Sequence, residues 1–338
     1  MSFDDGRLDD EVVLDRFDQV LRRHAEAGAR VRRESVSTEG SVRDAVMQLA
    51  GTRPRAVVAA GPDSRLLRAV LEPVCPVPFL AWPGPGLPGW SGSLDLVVVL
   101  APRGNDVATA RVVAEAVRRG CPLVVACPAD SLVAGHAAGR YSTVLPTTTG
   151  DQLATAVVML DLLDRLGLAP ATEPERVATA LDDVAVACAP RQDLAVNPAK
   201  ILAIGIADAN PLLWGGTVLA ARAARRIAES VRRVTGRTAL AADAEHLLPV
   251  IRAAVPRDVF ADPVTDSGVD ARPALVVLED GLADPAIAET RDELVEAARG
   301  NDVRVETVAT SAEGEVCRYA ALLATGTYAA TYLQIGEV

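Results

Sequence analysis

With 338 residues and a formal charge of −11, the chain is long enough for two domains with ample core. The same charge argues against nucleic acid or an anionic membrane as partner. Half of the residues are apolar and only 3% aromatic, so the core has to be built from Ala, Val and Leu. Of the 34 basic residues only Lys200 is a lysine, the bias of a GC-rich coding sequence, so arginine abundance carries no functional weight. No apolar run reaches the ~20 residues of a membrane span, and the acidic amino terminus is unlike a signal peptide. Cys75, Cys121, Cys127, Cys188 and Cys317 lie in apolar surroundings without metal-ligand spacing. They read as small buried residues of a reducing cytoplasm, and no motif calls for a metal or other cofactor.

In chain order, apolar Val12, Val13, Phe17, Val20 and Leu21 predict a leading helix over 9–27. The stretch 34–40 is mostly polar, and Ser41 caps a second helix running to Ala50. A strand over 55–60 is followed by the turn Gly61-Pro62-Asp63-Ser64 and a helix to Leu71. A short strand over 77–80 leads into a rigid proline- and glycine-rich loop from Trp82 to Trp90. The unbroken run Leu96–Leu100 suits a strand buried on both faces of a parallel sheet. Helical spacing then runs from Val107 to Arg119, Gly120 stops it, and 121–126 forms another buried strand. A helix carrying Val133 and His136, a strand over 141–145 and a long helix over 151–166 complete the first half. Pro170, Thr172 and Pro174 mark the boundary, giving domains over 1–168 and 169–338. The second half repeats the alternation. It has helices over 175–187, from Asn197, over 218–234, 284–299 and 314–333, and strands near 211–216, 274–278 and 303–308.

Residues 94–128 thus form one βαβ unit with a ligand-sized loop, 101–106, at the carboxyl end of its first strand. Open α/β sheets bind ligands at that place, and the following helix offers free N–H groups and partial positive charge to an anion. The plainer alternative is a tight turn in which Gly104 and Asn105 serve only the backbone.

Gly104-Asn105, Thr109 on the first helical turn and the closing Arg118-Arg119-Gly120 resemble a sugar isomerase (SIS) domain. In such domains a Ser/Thr-rich loop with a central Gly-Asn-Thr cradles a sugar phosphate. Three further elements extend the resemblance to the whole chain: Asn197-Pro198-Ala199-Lys200, Pro211-Leu212-Leu213-Trp214-Gly215, and Arg318 to Leu333. Leu162 to Leu168 also fits, and the order is that of the bifunctional phosphoglucose/phosphomannose isomerases. The resemblance implies an α/β fold of two SIS-like domains, each a mainly parallel sheet flanked by helices in three α/β/α layers. It also implies a sugar phosphate ligand and a homodimer. The apolar breadth of the closing helix, with Tyr319, Leu322, Leu323, Thr327, Ala330 and Tyr332, points to the same homodimer. The phosphosugar site would comprise Arg103, Gly104, Asn105 and Thr109, with Gly61 and Ser64 from the preceding turn.

This chain departs from the family at several points. Ala101, Pro102 and Arg103 stand where small hydroxyl residues are expected, and Arg103 can grip phosphate bidentately in their place. Pro62 removes an anion-binding N–H, and Asp63 would repel an anion. Aldose–ketose isomerisation needs a carboxylate base, a ring-opening His and a cation for the enediolate. The family's Asn-His-Asn-Glu-like segment corresponds to 238–249 here, where Glu245 and His246 are the available acid/base pair. The alternative is an exposed Glu beside a helix-start His, with the family glutamate falling on Val250. The family's Pro-Arg before the long helix is replaced near Thr149, Asp151 and Gln152, and its lysine beyond the closing helix is not reached by Val338. Lys200 reads as structural, and His24 and His136 as surface or satisfied core. The expected function is therefore phosphosugar binding with weak or lost isomerase activity. The alternative is a non-catalytic structural or regulatory partner of a sugar-phosphate enzyme.

Overall fold

The computed structural model describes residues 3–61, 64–254 and 272–337. A 3₁₀ turn (Asp5–Leu8) precedes α1 (Glu11–Arg16), α2 (Asp18–Ala25) and α3 (Ala27–Leu49). Then come β1 (Val57–Ala60), α4 (Ser64–Leu71), β2 (Phe79–Trp82), β3 (Leu96–Leu100), α5 (Val107–Arg118), β4 (Leu123–Cys127), α6 (Leu132–His136), β5 (Ser142–Pro146) and α7 (Gln152–Arg165). After α8 (Pro174–Ala187) and α9 (Pro198–Gly205) follow β6 (Ala209–Gly215), α10 (Val218–Thr235), β7 (Leu240–Ala241), α11 (Ala244–Arg252), β8 (Arg272–Glu279), α12 (Pro285–Gly300), β9 (Arg304–Ala309) and α13 (Glu315–Glu337).

The chain divides into two compact units. One is Ala27–Thr179; the other joins the residues up to Glu26 with those from Ala180 onward. Each is an α/β unit built on a parallel sheet with helices on both faces, the expected fold class.

In the first-sheet unit the strand order is β2-β1-β3-β4-β5 and every pairing is parallel. β1, β3 and β4 are buried on both faces, which is why they read as unbroken Val, Ala and Leu. Val58, Val97, Val99 and Val125 pack under Val113 and Ala116 of α5 and Val133 of α6. α3, α4 and α7 cover the opposite face. Strand order reverses between β1 and β3, so the crevice at their carboxyl ends is the topological switch point.

The second sheet runs β7-β6-β8-β9, again all parallel. Leu212, Trp214, Leu275 and Val277 meet Leu247 and Ile251 of α11 and Leu294 of α12. α9, α10 and α13 lie on its other face.

Three features differ from the sequence expectation. The leading helix is two short helices broken at Phe17, and this segment packs on α13: the Asp4 amide donates to the Gly336 carbonyl at 3.0 Å. Residues 3–26 therefore belong with the second sheet rather than with a domain over 1–168. Secondly, α3 runs unbroken through the polar stretch 34–40. That stretch hid its helical character because two of its inward positions are polar and hydrogen-bonded: Glu34 reaches the loop after β5, and Thr38 Oγ1 donates to the Glu34 carbonyl at 2.7 Å. Thirdly, α13 is covered within its own chain. Tyr319, Leu322, Ala330 and Tyr332 are buried, and α9, α10 and α2 all contact the helix. Its apolar breadth is explained by three-sided packing and so no longer argues for a homodimer.

Candidate functional site

The carboxyl edge of the first sheet carries the six expected phosphosugar residues and brings Gly61, Ser64 and Thr109 together. β1 is followed by Gly61, at φ +94°, where a Cβ would lie 3.7 Å from Thr109 Oγ1, so the turn after β1 touches the first turn of α5. Pro62 and Asp63 lie outside the described residues. Ser64, 1% exposed, opens α4, and its hydroxyl has no hydrogen-bond partner among the described residues. Trp82 Nε1, at the end of β2, and Thr147 Oγ1, just past β5, are likewise buried and without a partner among the described residues. Arg103 is exposed and has no hydrogen-bond or ion-pair partner among the described residues. Asn105 is exposed and equally unbonded through its side chain.

Gly104 serves the backbone. It sits at φ +63°, its amide donates to the Ala101 carbonyl (2.9 Å), and its carbonyl accepts from Val133 N at α6 (3.0 Å). A Cβ there would overlap Ser131, so only glycine fits. For this residue the tight-turn alternative is the one the structure adopts.

The α5 terminus was expected to await an anion; the chain supplies its own. Asp106, the residue after Gly104-Asn105, caps α5, its Oδ2 accepting from Thr109 N (2.7 Å) and Thr109 Oγ1 (2.5 Å). The Thr109 hydroxyl first, and its amide second, hold the Asp106 carboxyl below the usual range. Thr109 is thus a partner of Asp106, and a phosphate would meet a fixed negative charge at this helix end.

A second carboxylate fills the loop after β5. Glu34, fully buried on α3, accepts from Thr148 N at 2.9 Å on both oxygens, from Thr149 N at 2.5 Å and from Thr149 Oγ1 at 2.6 Å. Asp151 caps α7 through Ala154 N at 3.0 Å and pairs with Arg30 at 2.8 Å. Where the resemblance expects an arginine facing substrate, this loop is built around carboxylates.

The matching turn of the second sheet is closed by packing. A Cβ on Gly215 would overlap the Ala220 backbone, and one on Gly216 would overlap Ile287. Thr217 Oγ1 donates to Asp280 Oδ2 at 2.5 Å across the turn. Glu245 and His246 occupy the first turn of α11, just past the carboxyl end of β7. Their side chains are 78% and 69% exposed and 3.4 Å apart, the geometry of a solvated pair. Val250, on the same helix, is also exposed, and Arg225 pairs with Asp243 at 3.8 Å. Glu245 and His246 belong to one unit, whereas Arg103, Gly104, Asn105, Thr109, Gly61 and Ser64 belong to the other.

His24 bonds Thr331 Oγ1 at 2.9 Å and lies edge-on to Tyr328, while His136 is exposed. No disulfide joins any of the five cysteines among the described residues, and no cluster able to hold a metal occurs among them. No helix of the described residues is long and apolar enough to cross a membrane. A cavity of about 730 Å³ in the first-sheet unit lies at the amino ends of the strands, beside Leu94, Leu96 and Pro122, away from these loops.

Asp106 and Glu34 are the residues missed in the sequence. Asp106, three positions before Thr109 at a helix start, carries a legible capping signal. Glu34 carries none, because its partners lie more than a hundred residues away.

Comparison with known proteins bears on the fold and on the second half. Residues 195–337 match the bacterial phospho-glucose isomerase C-terminal SIS domain family. No curated protein matches the sequence. Among solved structures, tagatose-6-phosphate ketose/aldose isomerase from Escherichia coli superposes with a TM-score of 0.66 at 12% identity, covering 94% of this chain and 92% of that one. A glucose-6-phosphate isomerase like protein from Thermus thermophilus gives 0.52 at 16% identity, covering 90% and 91%. The chain shares the fold of these solved structures, and its residues 195–337 match a SIS domain.

Proposed function

We propose that the chain is a diverged relative of the bifunctional phosphoglucose/phosphomannose isomerases. In this reading it binds a sugar phosphate at the carboxyl edge of its first sheet and turns it over feebly or not at all. One observation carries the binding half: at the topological switch point the Arg103 guanidinium stands exposed without a counter-charge among the described residues. At the start of the adjoining α4 the buried Ser64 hydroxyl lacks a partner among the described residues, and natural proteins rarely leave such a group unsatisfied. The phosphate would rest on Arg103 rather than on the α5 amides, which Asp106 occupies.

The weak-turnover half rests on Glu245. A base working on a carbon acid gains from burial, and Glu245 is in water. No arginine replaces the family's enediolate cation in the loop before α7, and Arg225 already faces Asp243. A non-catalytic partner of a sugar-phosphate enzyme is the second reading, favoured by the carboxylates that fill the loops after β3 and β5. A cytoplasmic homodimer belongs to the proposal too, with an interface other than the face of α13 covered by α9 and α10.

Thermal unfolding with hexose 6-phosphates separates the two readings. A ligand at 100-fold its dissociation constant stabilises by ~2.7 kcal/mol, and Arg103→Ala should abolish the shift. No shift with any sugar phosphate at millimolar concentration would remove the binding reading.

A further inference from the structure

The cavity of about 730 Å³ at the amino ends of the first sheet owes its apolar walls to the way strands and helices begin and end there. Three of the segments that lead into strands pass it as proline: Pro54 before β1, Pro76 before β2 and Pro122 before β4. A proline has no N–H to satisfy, so these positions ask for no acceptor. Past the ends of α3 and α7 the wall carries left-handed glycines, Gly51 at φ +74° and Gly167 at φ +68°. The Thr52 amide donates to the Leu49 carbonyl at 3.2 Å, the Gly167 amide to Asp164 at 2.7 Å and the Leu168 amide to Leu163 at 2.8 Å. Both helix ends are thus closed by their own chain. A Cβ on either glycine would meet nothing within 4 Å, so both border open volume. Leu49, Leu94, Leu96, Leu166 and Leu168 line the same space.

The formal charge on these walls has one sign. No aspartate or glutamate lines the cavity, whereas Arg53 and Arg165 do. Arg165 is neutralised twice, by Glu39 at 2.8 Å and by Asp161 at 2.9 Å. Arg53 is exposed and donates through Nη2 to the Pro76 carbonyl at 2.5 Å, which fixes the guanidinium without cancelling its charge. It has no ion-pair partner among the described residues.

The volume falls within the roughly 300–1,000 Å³ of small-molecule sites. We infer that this cavity binds a small amphipathic anion, an aliphatic body against the leucines and prolines with its carboxylate on Arg53. A hexose phosphate does not suit it, since hydroxyls all round the sugar would be buried against leucine without partners. The site lies at the opposite end of the strands from the loops of the proposed phosphosugar site and stands independently of that reading.

The test is calorimetric titration of the full chain with octanoate, 1-octanol and octylammonium, which share one aliphatic body and differ in charge. Octanoate is expected to saturate at one per chain and to bind about 5–10-fold tighter than octanol, the scale of one solvent-exposed charge contact. Octylammonium should bind most weakly. Arg53→Gln should bring octanoate and octanol level, while Arg53→Lys, which keeps the charge, should retain the preference. Leu94→Glu, at a position 67% exposed on the same wall, should weaken octanoate and strengthen octylammonium. Equal binding of octanoate and octanol by the parent, a preference that survives Arg53→Gln, or no saturable binding of any probe overturns the inference. So does a parent that sediments as a dimer, fails to bind octanoate and is dissociated by Leu94→Glu, for then a second copy covers the cavity.

Discussion

Lys200 Nζ lies 2.5 Å from Asp9 Oδ1 and donates as well to the carbonyls of Pro190 (2.8 Å) and Gln192 (2.9 Å). The only lysine of the chain is fully buried, its three N–H bonds are matched by three acceptors, and it stands 5.5 Å from the Tyr332 ring. A planar guanidinium cannot take the place of this compact ammonium, which gives a structural reason for a lysine in a chain otherwise furnished with arginine. Lys200→Met leaves two carbonyls and the half-exposed Asp9 without their donor and should cost about 1–3 kcal/mol. Lys200→Arg should also destabilise, although the charge is kept. Urea unfolding of the three proteins checks both, and an arginine variant as stable as the parent would remove the account.

Glu34 should be equally intolerant of a conservative change. Glu34→Gln sets an amide NH₂ against Thr148 and Thr149, which are themselves donors. We expect a loss of about 2–3 kcal/mol, with the amides of 148–149 losing hydrogen-exchange protection before the strands do. Uniform protection in the variant would contradict this.

Two carboxylates should show opposite pH behaviour. Burial raises Glu306, half-buried on β9, above the ordinary glutamate range, with Arg304 opposing. The folded state therefore holds this proton more readily than the unfolded chain, and the charged form costs stability at neutral pH. Glu306→Gln should be more stable than the parent there, the difference closing as pH falls through the raised value. Asp106 has the reverse sign, its carboxyl being lowered in the folded state. Asp106→Ala should lose about 1 kcal/mol at neutral pH, and that difference should fade as pH falls through the lowered value. Thermal unfolding of both variants between acid and neutral pH reads out the two slopes.

Thiol chemistry should report the same packing. Burial pushes the Cys188 thiol up to about 12 and also raises Cys121 and Cys127. Under native conditions an alkylating reagent should label Cys75, the one cysteine that is not fully buried, and leave the other four unreacted. Rapid labelling of Cys188 detected by mass spectrometry would contradict the burial.

Isomerase turnover between fructose 6-phosphate and glucose or mannose 6-phosphate should stay far below about 10 per second, an ordinary enzyme rate. Glu245→Gln should change whatever residue of activity there is by less than about twofold, because a solvated side chain contributes little to proton transfer. A coupled assay showing full turnover that Glu245→Gln abolishes would restore Glu245 as the base.

What the sequence disclosed and what it withheld have a common cause. The strands Leu96–Leu100 and Leu123–Cys127 were legible because burial on both faces writes an unbroken apolar run. Gly104 was legible as a turn glycine and Lys200 as structural. The continuity of α3 was not, since Glu34 and Thr38 put polar atoms on its inward face and their partners are set by tertiary structure. The breadth of α13 was read correctly as apolar and wrongly as surplus, because a helix covered by its own chain and one awaiting a partner have the same composition. The filled terminus of α5 was missed as well: Asp106 carries a capping signal, but its meaning as a resident anion depends on the bonds from Thr109.

The docking of residues 3–26 on α9 and α13 bears on the order in which the protein can fold. Synthesis proceeds from the amino terminus, so α1 and α2 emerge first, yet the helix they pack against is complete only at Glu337. At ~5–20 residues per second that interval is roughly 15–60 s. Throughout it the exposed leading helices must wait while Ala27–Thr179, whose own partners are all at hand, folds in between. A nascent chain released early would thus hold a finished first sheet and an unclaimed amphipathic segment, the kind of intermediate that chaperones engage.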